Sequence, residues 1–512
     1  MGEQLLGAVL QTFQPISLLY LCVGFFVGVI FGALPGLTST LAIVLLLPMT
    51  YNMPLSQALI MCMGVYMAGI YSGCITAITI NIPGTPGAVM TSIEGYQMMK
   101  RGDGARAIGH ATIGSAIGGS LGALMLMFLS PAAVRLAMMI RTPGKFSLIL
   151  FALVVVVMIS EDKRKGIITL IFGLICATVG ADKLKTVSRF TFGFSQLIEG
   201  MDTVTLIVGC FAISEIISQT LVSNAEYLKL GEAANKVKFG RKDFFPPLSE
   251  FKEVGILNYI KYTLIGFFIG VLPGAGASMA SFVSYAVAKG SSKFKEKFGK
   301  GYFGGIVAPE TANNAVCGGA LVPLLTLGIP GDGTTAVILG VFLVYGIVPG
   351  PNLLINRFGE LAPMFVALFI SAAILLPISL YLFGSYYIKI VRINRLILYS
   401  TIALTAILGV FVATTSAFQM GIALFVGVLM YYLKQQKYPA VPFILGVILG
   451  PMFEQYLRTT LTIGKMNASV FVTEMDSLAF LILTVLFAVV LPILNRKSDA
   501  AEASAVNEAN KK

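Results

Sequence analysis

Tryptophan is absent, histidine occurs once, and charged residues fill only 12% of the 512 positions. Water-soluble chains carry about 25% charged and about 45–50% apolar residues, whereas 56% are apolar here. Too little polar surface remains to cover a body in water. A soluble enzyme, a DNA-binding protein and a secreted disulfide scaffold are therefore excluded. With His110 as the sole histidine, no multi-histidine metal site can form. The six cysteines (Cys22, Cys62, Cys74, Cys176, Cys210 and Cys317) lie inside apolar runs without a CxxC pair. They read as buried thiols. Lacking tryptophan, an interfacial aromatic belt falls to the 19 tyrosines. Residues 1–15 have no basic n-region, so no signal peptide is read. HExxH, GxSxG and Walker A patterns are missing, and with them the case for a zincin, a serine hydrolase or a primary pump. The GIPGD stretch ending at Asp332 has no second intramembrane aspartate to make a protease pair. Neither an enzyme nor a metal or cofactor site is expected.

What is present is apolar length. Mean hydropathy is +0.87, and 54 glycines and 22 prolines are spread along the chain, as in membrane helices that pack closely and break in places. The net charge of +12 sits in short runs between apolar segments, such as Glu161–Gly166 and Lys289–Lys300. Loops meeting an anionic membrane surface look like this, and nucleic acid is not implied. A spanning helix needs about 20 apolar residues. Reading runs of that kind predicts an all-α polytopic membrane protein with about 11–12 spans. The stretch 223–258, rich in Lys and Glu, reads as a linker between a first transmembrane repeat (1–222) and a second (259–494) that carries an extra final span. The tail 495–512 reads as disordered.

The two halves resemble each other. Gly28, Gly32, Leu34, Pro35 and Gly36 recur as Gly266, Gly270, Leu272, Pro273 and Gly274, 238 positions on. Ile82-Pro83-Gly84 recurs as Ile329-Pro330-Gly331, 247 positions on, and Tyr96 matches Tyr345. Charge places equivalent loops on opposite sides. Lys289–Lys300 is lysine-rich where its counterpart Met49–Leu55 has no charge, and Lys100, Arg101 and Arg106 face the charge-free Gly346–Asn356. Positive loops mark the cytoplasmic side, so two inverted-topology repeats are expected. The best fit puts the N-terminus outside and the C-terminus inside. Arg135–Lys145, Lys183–Arg189 and Arg458 fall on the outer side against the rule.

Four Pro-Gly breaks interrupt apolar sequence: Pro35-Gly36, Pro83-Gly84, Pro273-Gly274 and Pro330-Gly331. Neither residue type favours a continuous helix. Backbone groups freed in a bilayer are tolerated only inside protein or along a wet cavity. Broken or re-entrant helices are expected at all four. Small or hydroxylated residues follow each break: Thr38, Ser39 and Thr40; Thr85; Gly276 and Ser278; Asp332, Thr334 and Thr335. Helices restarting there offer N–H groups and a positive dipole end to a carboxylate. Asn81, Asn313 and Asn314 add amide donors. Asp332 and Glu310 are candidates for a coupling ion, because intramembrane acids are costly and usually functional. Asp332 is also a plausible helix cap, and Glu310 is ordinary if it sits at the interface. Glu215 and His110 read as structural.

These motifs resemble the large membrane subunit of the tripartite tricarboxylate transporters, the TctA family. The resemblance rests on GVIFGALPGLTST (Gly28–Thr40), NIPGTPGAV (Asn81–Val89) with EGYQMMKRGDGARAIG (Glu94–Gly109), GVLPGAGASMASFVSYAVAK (Gly270–Lys289) and FGKGYFGGIVAPETANNAVCGGALVPLLTLGIPG (Phe298–Gly331). It implies secondary transport of a carboxylate across the bacterial inner membrane, driven by Na⁺ or H⁺. It also implies a small membrane subunit and a periplasmic substrate-binding protein as partners. Relatives commonly carry Ser or Thr where Asp332 stands. An anion channel and a membrane-embedded enzyme are the alternatives.

Overall fold

The computed structural model describes residues 2–182, 185, 187–221, 240–387, 389–390 and 395–489. The polar stretch up to residue 239 and the tail from Asn495 lie outside them. The chain folds into two units, one of residues 1–137 with 202–432 and one of residues 138–201 with 433–512. Each unit draws on sequence from both sides of the 223–258 stretch.

The first unit opens with α1 (Gly2–Thr12) and α2 (Pro15–Ala33), whose proline stands at the start of the helix, where its missing N–H costs nothing. Short α3 (Ser39–Thr50), long α4 (Leu55–Ile80), α5 (Val89–Lys100) and α6 (Gly104–Met139) follow. Two further helices, α7 (Thr142–Ile159) and α8 (Lys163–Ala177), come next in the chain and belong to the second unit. The first unit resumes with α9 (Thr203–Thr220), α10 (Leu248–Val254), α11 (Ile256–Val271), α12 (Gly276–Ser291), α13 (Gly304–Leu327), α14 (Gly333–Val344), α15 (Phe358–Tyr387), α16 (Arg395–Thr414) and α17 (Ala417–Gln435). The second unit closes with α18 (Ala440–Ile463) and α19 (Met475–Val489). Among the described residues nine helices are long and apolar enough to cross a membrane, or ten if the bent α10–α11 region counts as one. The expectation of 11–12 also counted runs that fold as shorter helices, such as α8 with 15 residues and α19.

The breaks form where the sequence places them. After α2 the chain turns extended at Leu34 (φ −89°, ψ 120°) and left-handed at Gly36 (φ 86°). After α11 the same sequence of states recurs at Leu272 (φ −80°, ψ 120°) and Gly274 (φ 80°). α4 ends on left-handed Asn81 (φ 58°) and α13 on left-handed Gly328 (φ 72°). In both, the residue after the cap donates its N–H to a carbonyl six positions back, Ile82 to Thr76 and Ile329 to Pro323.

Packing repeats at the same two offsets. α2 lies on α4, and α11 on α13, through glycines too close to the partner backbone for any side chain. A Cβ at Gly28 would meet the Val65 carbonyl oxygen at 2.6 Å, and one at Gly32 would collide with that of Gly69. At the positions 238 and 247 residues on, Gly266 meets the Ala312 carbonyl and Gly270 the Val316 carbonyl. Gly84 packs against the Gly32 carbonyl and Gly73 Cα, and Gly331 against the Gly270 carbonyl and Ala320 Cα. Small residues let backbones approach, which is how helices associate where lipid removes the hydrophobic drive.

In the second unit α18 packs on α7 and α8. Arg458 lies inside helix α18, not in a loop as the charge pattern suggested. It bonds Asp182 at 2.8 Å and Glu454 at 3.0 Å, while Arg189 bonds Glu454 at 2.7 Å. Arg141 pairs with Glu474. Three of the basic residues that broke the orientation rule, Arg141, Arg189 and Arg458, are thus bound to acids.

Candidate functional site

The half-helices pair across the two halves of the sequence. At their N-terminal ends α3 and α14 meet through hydroxyls: Thr334 Oγ1 lies 2.9 Å from Thr40 Oγ1 and 3.1 Å from Ser39 Oγ. At their C-terminal ends Tyr345 donates to the carbonyls of Thr50 (2.5 Å) and Met53 (2.7 Å). The two therefore run side by side in the same direction. α12 pairs likewise with the segment leading into α5. A Cβ at Gly87 would stand 3.1 Å from that of Ala277, and Tyr285 donates to Glu94 at 2.8 Å. Ala277 and Gly87 are the repeat counterparts of Ser39 and Thr334. The contact recurs, but its hydroxyls do not.

Asp332 stands between these pairs. Its carboxylate caps α14, accepting the Thr335 N–H at 2.7 Å and the Thr335 hydroxyl at 2.8 Å, while Thr335 Oγ1 accepts the Asp332 N–H at 2.8 Å. The other oxygen accepts the Tyr66 hydroxyl at 2.6 Å. A Cβ on Gly276, at the start of α12, would lie 3.7 Å from Asp332 Cβ, and Gly274 N donates to Gly331 O at 2.7 Å. The two breaks of the chain's second half and the α3 tip thus meet around one carboxylate that has no basic partner among the described residues.

Glu310 is fully buried. Its carboxylate accepts the hydroxyls of Thr91 and Ser115 (3.2 Å) and the amide of Asn313 (3.2 Å). Asn313 also reaches the Gly87 carbonyl, which accepts the Ser281 hydroxyl as well. Asn314 donates to the Met67 carbonyl at 3.1 Å. The buried atoms Thr85 Oγ1, Thr311 Oγ1, Asn313 Oδ1 and Asn314 Oδ1 have no hydrogen-bond partner among the described residues. Buried oxygens seldom go unmatched, so each of the four is open to a cation or a water. Among the described residues no group of three His, Cys, Asp or Glu gathers.

Of the expected site residues, Ser39, Thr40, Thr334, Gly276, Gly331, Gly274 and Asp332 come together. Asn313 and Glu310 form the neighbouring group with Asn314 next to them in the chain, while Gly84 and Thr85 lie against Gly73 of α4. Thr38 caps α3, its hydroxyl accepting Leu41 N–H at 3.2 Å. Pro35 and Gly36 form the turn before it, where Gly36 approaches the Gln219 amide. Asn81 and Ser278 are exposed and join neither group. His110 pairs with Glu250 (2.7 Å) and stacks on Phe303, and Glu215 accepts from Gln219. Tyr66, Thr91, Ser115 and Ser281 escaped the sequence reading. Tyr66 had a signal: it sits 247 positions before Asn313, so one repeat's candidate pointed to the other's. Glu94 was also missed. It accepts the N–H groups of Gly299 (2.5 Å), Gly301 (2.7 Å) and Tyr302 (2.9 Å), which ties the lysine-rich loop to α5.

No solved structure matches the chain. An uncharacterised 52.8 kDa protein of Agrobacterium vitis, from the TAR-I ttuC' 3' region, is 32% identical over 488 residues, 95% of each chain. A second uncharacterised A. vitis protein, from the TAR-II ttuC' 3' region, is 35% identical over 236 residues, 46% of this chain and 97% of its own. The profile of the tripartite tricarboxylate transporter TctA family matches residues 18–445. With broken helices, close glycine crossings and a match over most of its length, the chain belongs to the TctA family.

Proposed function

We propose that this chain is the carrier subunit of an ion-coupled importer of tricarboxylate or related carboxylate anions in the bacterial inner membrane. In this reading a periplasmic binding protein feeds it and a small membrane subunit accompanies it. The observation that carries the proposal is the hydroxyl-lined meeting of α3 and α14 beside Asp332. Helix starts direct N–H groups and positive dipole ends at an anion, and Ser39, Thr40 and Thr334 exchange hydrogen bonds with one another that a carboxylate replaces. Direct contact of the tips favours an occluded site over an open pore.

Asp332 would repel an anion unless a cation or proton lay between them, so it is assigned the coupling ion, Na⁺ or H⁺. Glu310 and the unpartnered oxygens around it are the second station for that ion. Inverted-topology repeats are part of the proposal. Asn314 bonds Met67, its own counterpart 247 positions earlier, and related positions touch each other only beside the axis that relates them. The crossing of α4 and α13 is therefore taken as the axis, with one half-helix pair on each side.

The test is uptake by proteoliposomes holding the chain and its small membrane subunit, using labelled tricarboxylates and dicarboxylates. Saturable uptake that requires both an imposed Na⁺ or H⁺ gradient and the binding protein is expected. Non-saturating, gradient-independent flux would replace the carrier reading with a channel. Saturable micromolar uptake by the chain alone would remove the binding protein from it.

A further inference from the structure

At Gly255, whose φ of 78° suits glycine, α10 and α11 meet at a bend of 92°. An exposed apolar stripe runs down α11 from this elbow. Leu257 (77% exposed), Leu264 (40%) and Phe268 (59%) recur at the helical spacing of one face, with Lys261 among them. Inside the elbow lies a cavity of about 220 Å³, lined by Asn258 and Tyr262 of α11, by Ser291, Ser292 and Lys293, and by Tyr302. Lys261 Nζ donates to Ser291 Oγ at 2.9 Å, so a cation of the stripe reaches a hydroxyl of the cavity's lining. Glu253, also lining the cavity, is already engaged by Lys297 at 3.4 Å. Lys293 makes no ion pair or hydrogen bond among the described residues, and Lys261 has no acidic partner among them. The elbow therefore presents two uncompensated ammonium groups, hydroxyls and an amide at the head of a bare apolar track.

We propose that this elbow binds a membrane phospholipid, with the headgroup phosphate between Lys261 and Lys293 and an acyl chain along Leu257, Leu264 and Phe268. The phosphate alone would suit a soluble ester equally well. The apolar stripe beside the cavity, joined to its lining by the Lys261–Ser291 bond, selects the lipid. Lysines beside a span attract anionic headgroups, and their stems cover apolar surface while the ammonium stays at the interface. The inference does not depend on what the chain transports.

Native mass spectrometry of the full chain, stripped of lipid and titrated with phosphatidylglycerol, tests it. A parallel arm adds glycerol phosphate as a soluble competitor. The chain should retain phosphatidylglycerol, and Lys261→Ala with Lys293→Ala should weaken retention about thirtyfold, each lysine contributing the attraction of one basic side chain near an anionic surface. Lys261→Arg with Lys293→Arg should restore it, which separates lost charge from misfolding. Leu264→Ser with Phe268→Ser should weaken lipid binding, and glycerol phosphate should not compete. Unchanged retention in the alanine variant would overturn the proposal. So would effective competition by glycerol phosphate together with indifference to the stripe substitutions, which marks a soluble-anion site. A stripe that a photoactivatable phospholipid cannot label would assign it to a protein partner and would overturn the proposal too.

Discussion

Asp332 holds two jobs with its two oxygens, capping α14 through Thr335 and accepting the hydroxyl of Tyr66. Asparagine caps a helix about as well as aspartate, so Asp332→Asn keeps the first job and removes the charge. Transport by this variant is expected to lose much of its dependence on the coupling ion while half-saturation by substrate changes little. Asp332→Ser is expected to be milder, and Tyr66→Phe to lean the same way as Asp332→Asn. Initial uptake rates across an ion titration check this, and an Asp332→Asn variant with unaltered ion dependence would reduce Asp332 to a cap. Glu310 allows a complementary separation. Glu310→Gln keeps the shape and one acceptor oxygen, which serves Ser115 and Asn313 while the Thr91 hydroxyl turns to accept from the new amide, so its thermal stability in detergent should stay near that of the parent while ion-driven uptake falls. Glu310→Ala strands those donors, each at about 1–3 kcal/mol when buried. Its melting temperature should drop clearly, and equal stability of the two variants would contradict the burial argument.

At the scale of elements, helix crossings are held by glycine and not by large side chains. Gly32→Val must displace the Gly69 carbonyl and the Ser72 hydroxyl, and Gly266→Val the Ala312 backbone. Overpacking costs about 1–3 kcal/mol where neighbours yield, and backbone yields less than side chains. Both substitutions are expected to cut the yield of monodisperse protein on size-exclusion chromatography. Gly7→Val, with nothing within 4 Å of its added atom, is the control and should leave the yield unchanged. Matching losses in Gly32→Val and Gly266→Val also probe the repeat, since the two glycines hold equivalent crossings.

For the whole molecule, the paired half-helices and the Asn314–Met67 contact make a definite demand on topology. Single cysteines in Met49–Leu55 and Gly346–Asn356, in a chain lacking its own six, should react with an impermeant thiol reagent from outside intact cells. A cysteine within Lys289–Lys300 should react only after permeabilisation. Equal labelling of the Met49–Leu55 and Lys289–Lys300 loops would end the inverted-repeat proposal.

Much of this protein is written locally. Apolar runs fix a chain of membrane helices because a bilayer leaves backbone groups no other partner. Proline with glycine stops a helix wherever it occurs, and Leu34-Pro35-Gly36 and Leu272-Pro273-Gly274 adopt matching dihedrals because such turns are decided within a few residues. The recurrence of the glycines at a constant offset was legible for the same reason. Their partners on α4 and α13 were not, since a close approach involves carbonyls that any residue supplies. Nor does spacing tell which tips meet. α3 joins α14 and α12 joins the start of α5 because packing α4 against α13 brings together residues 294 positions apart in the first pair and 191 in the second. Tyr66 and Thr91 look like any aromatic or hydroxyl in an apolar run until that packing sets them against Asp332 and Glu310. Burial is likewise a property of the assembled helices: the motif around Glu310 reads the same at an interface or in a core, and only the closing of α5 and α6 over it excludes water.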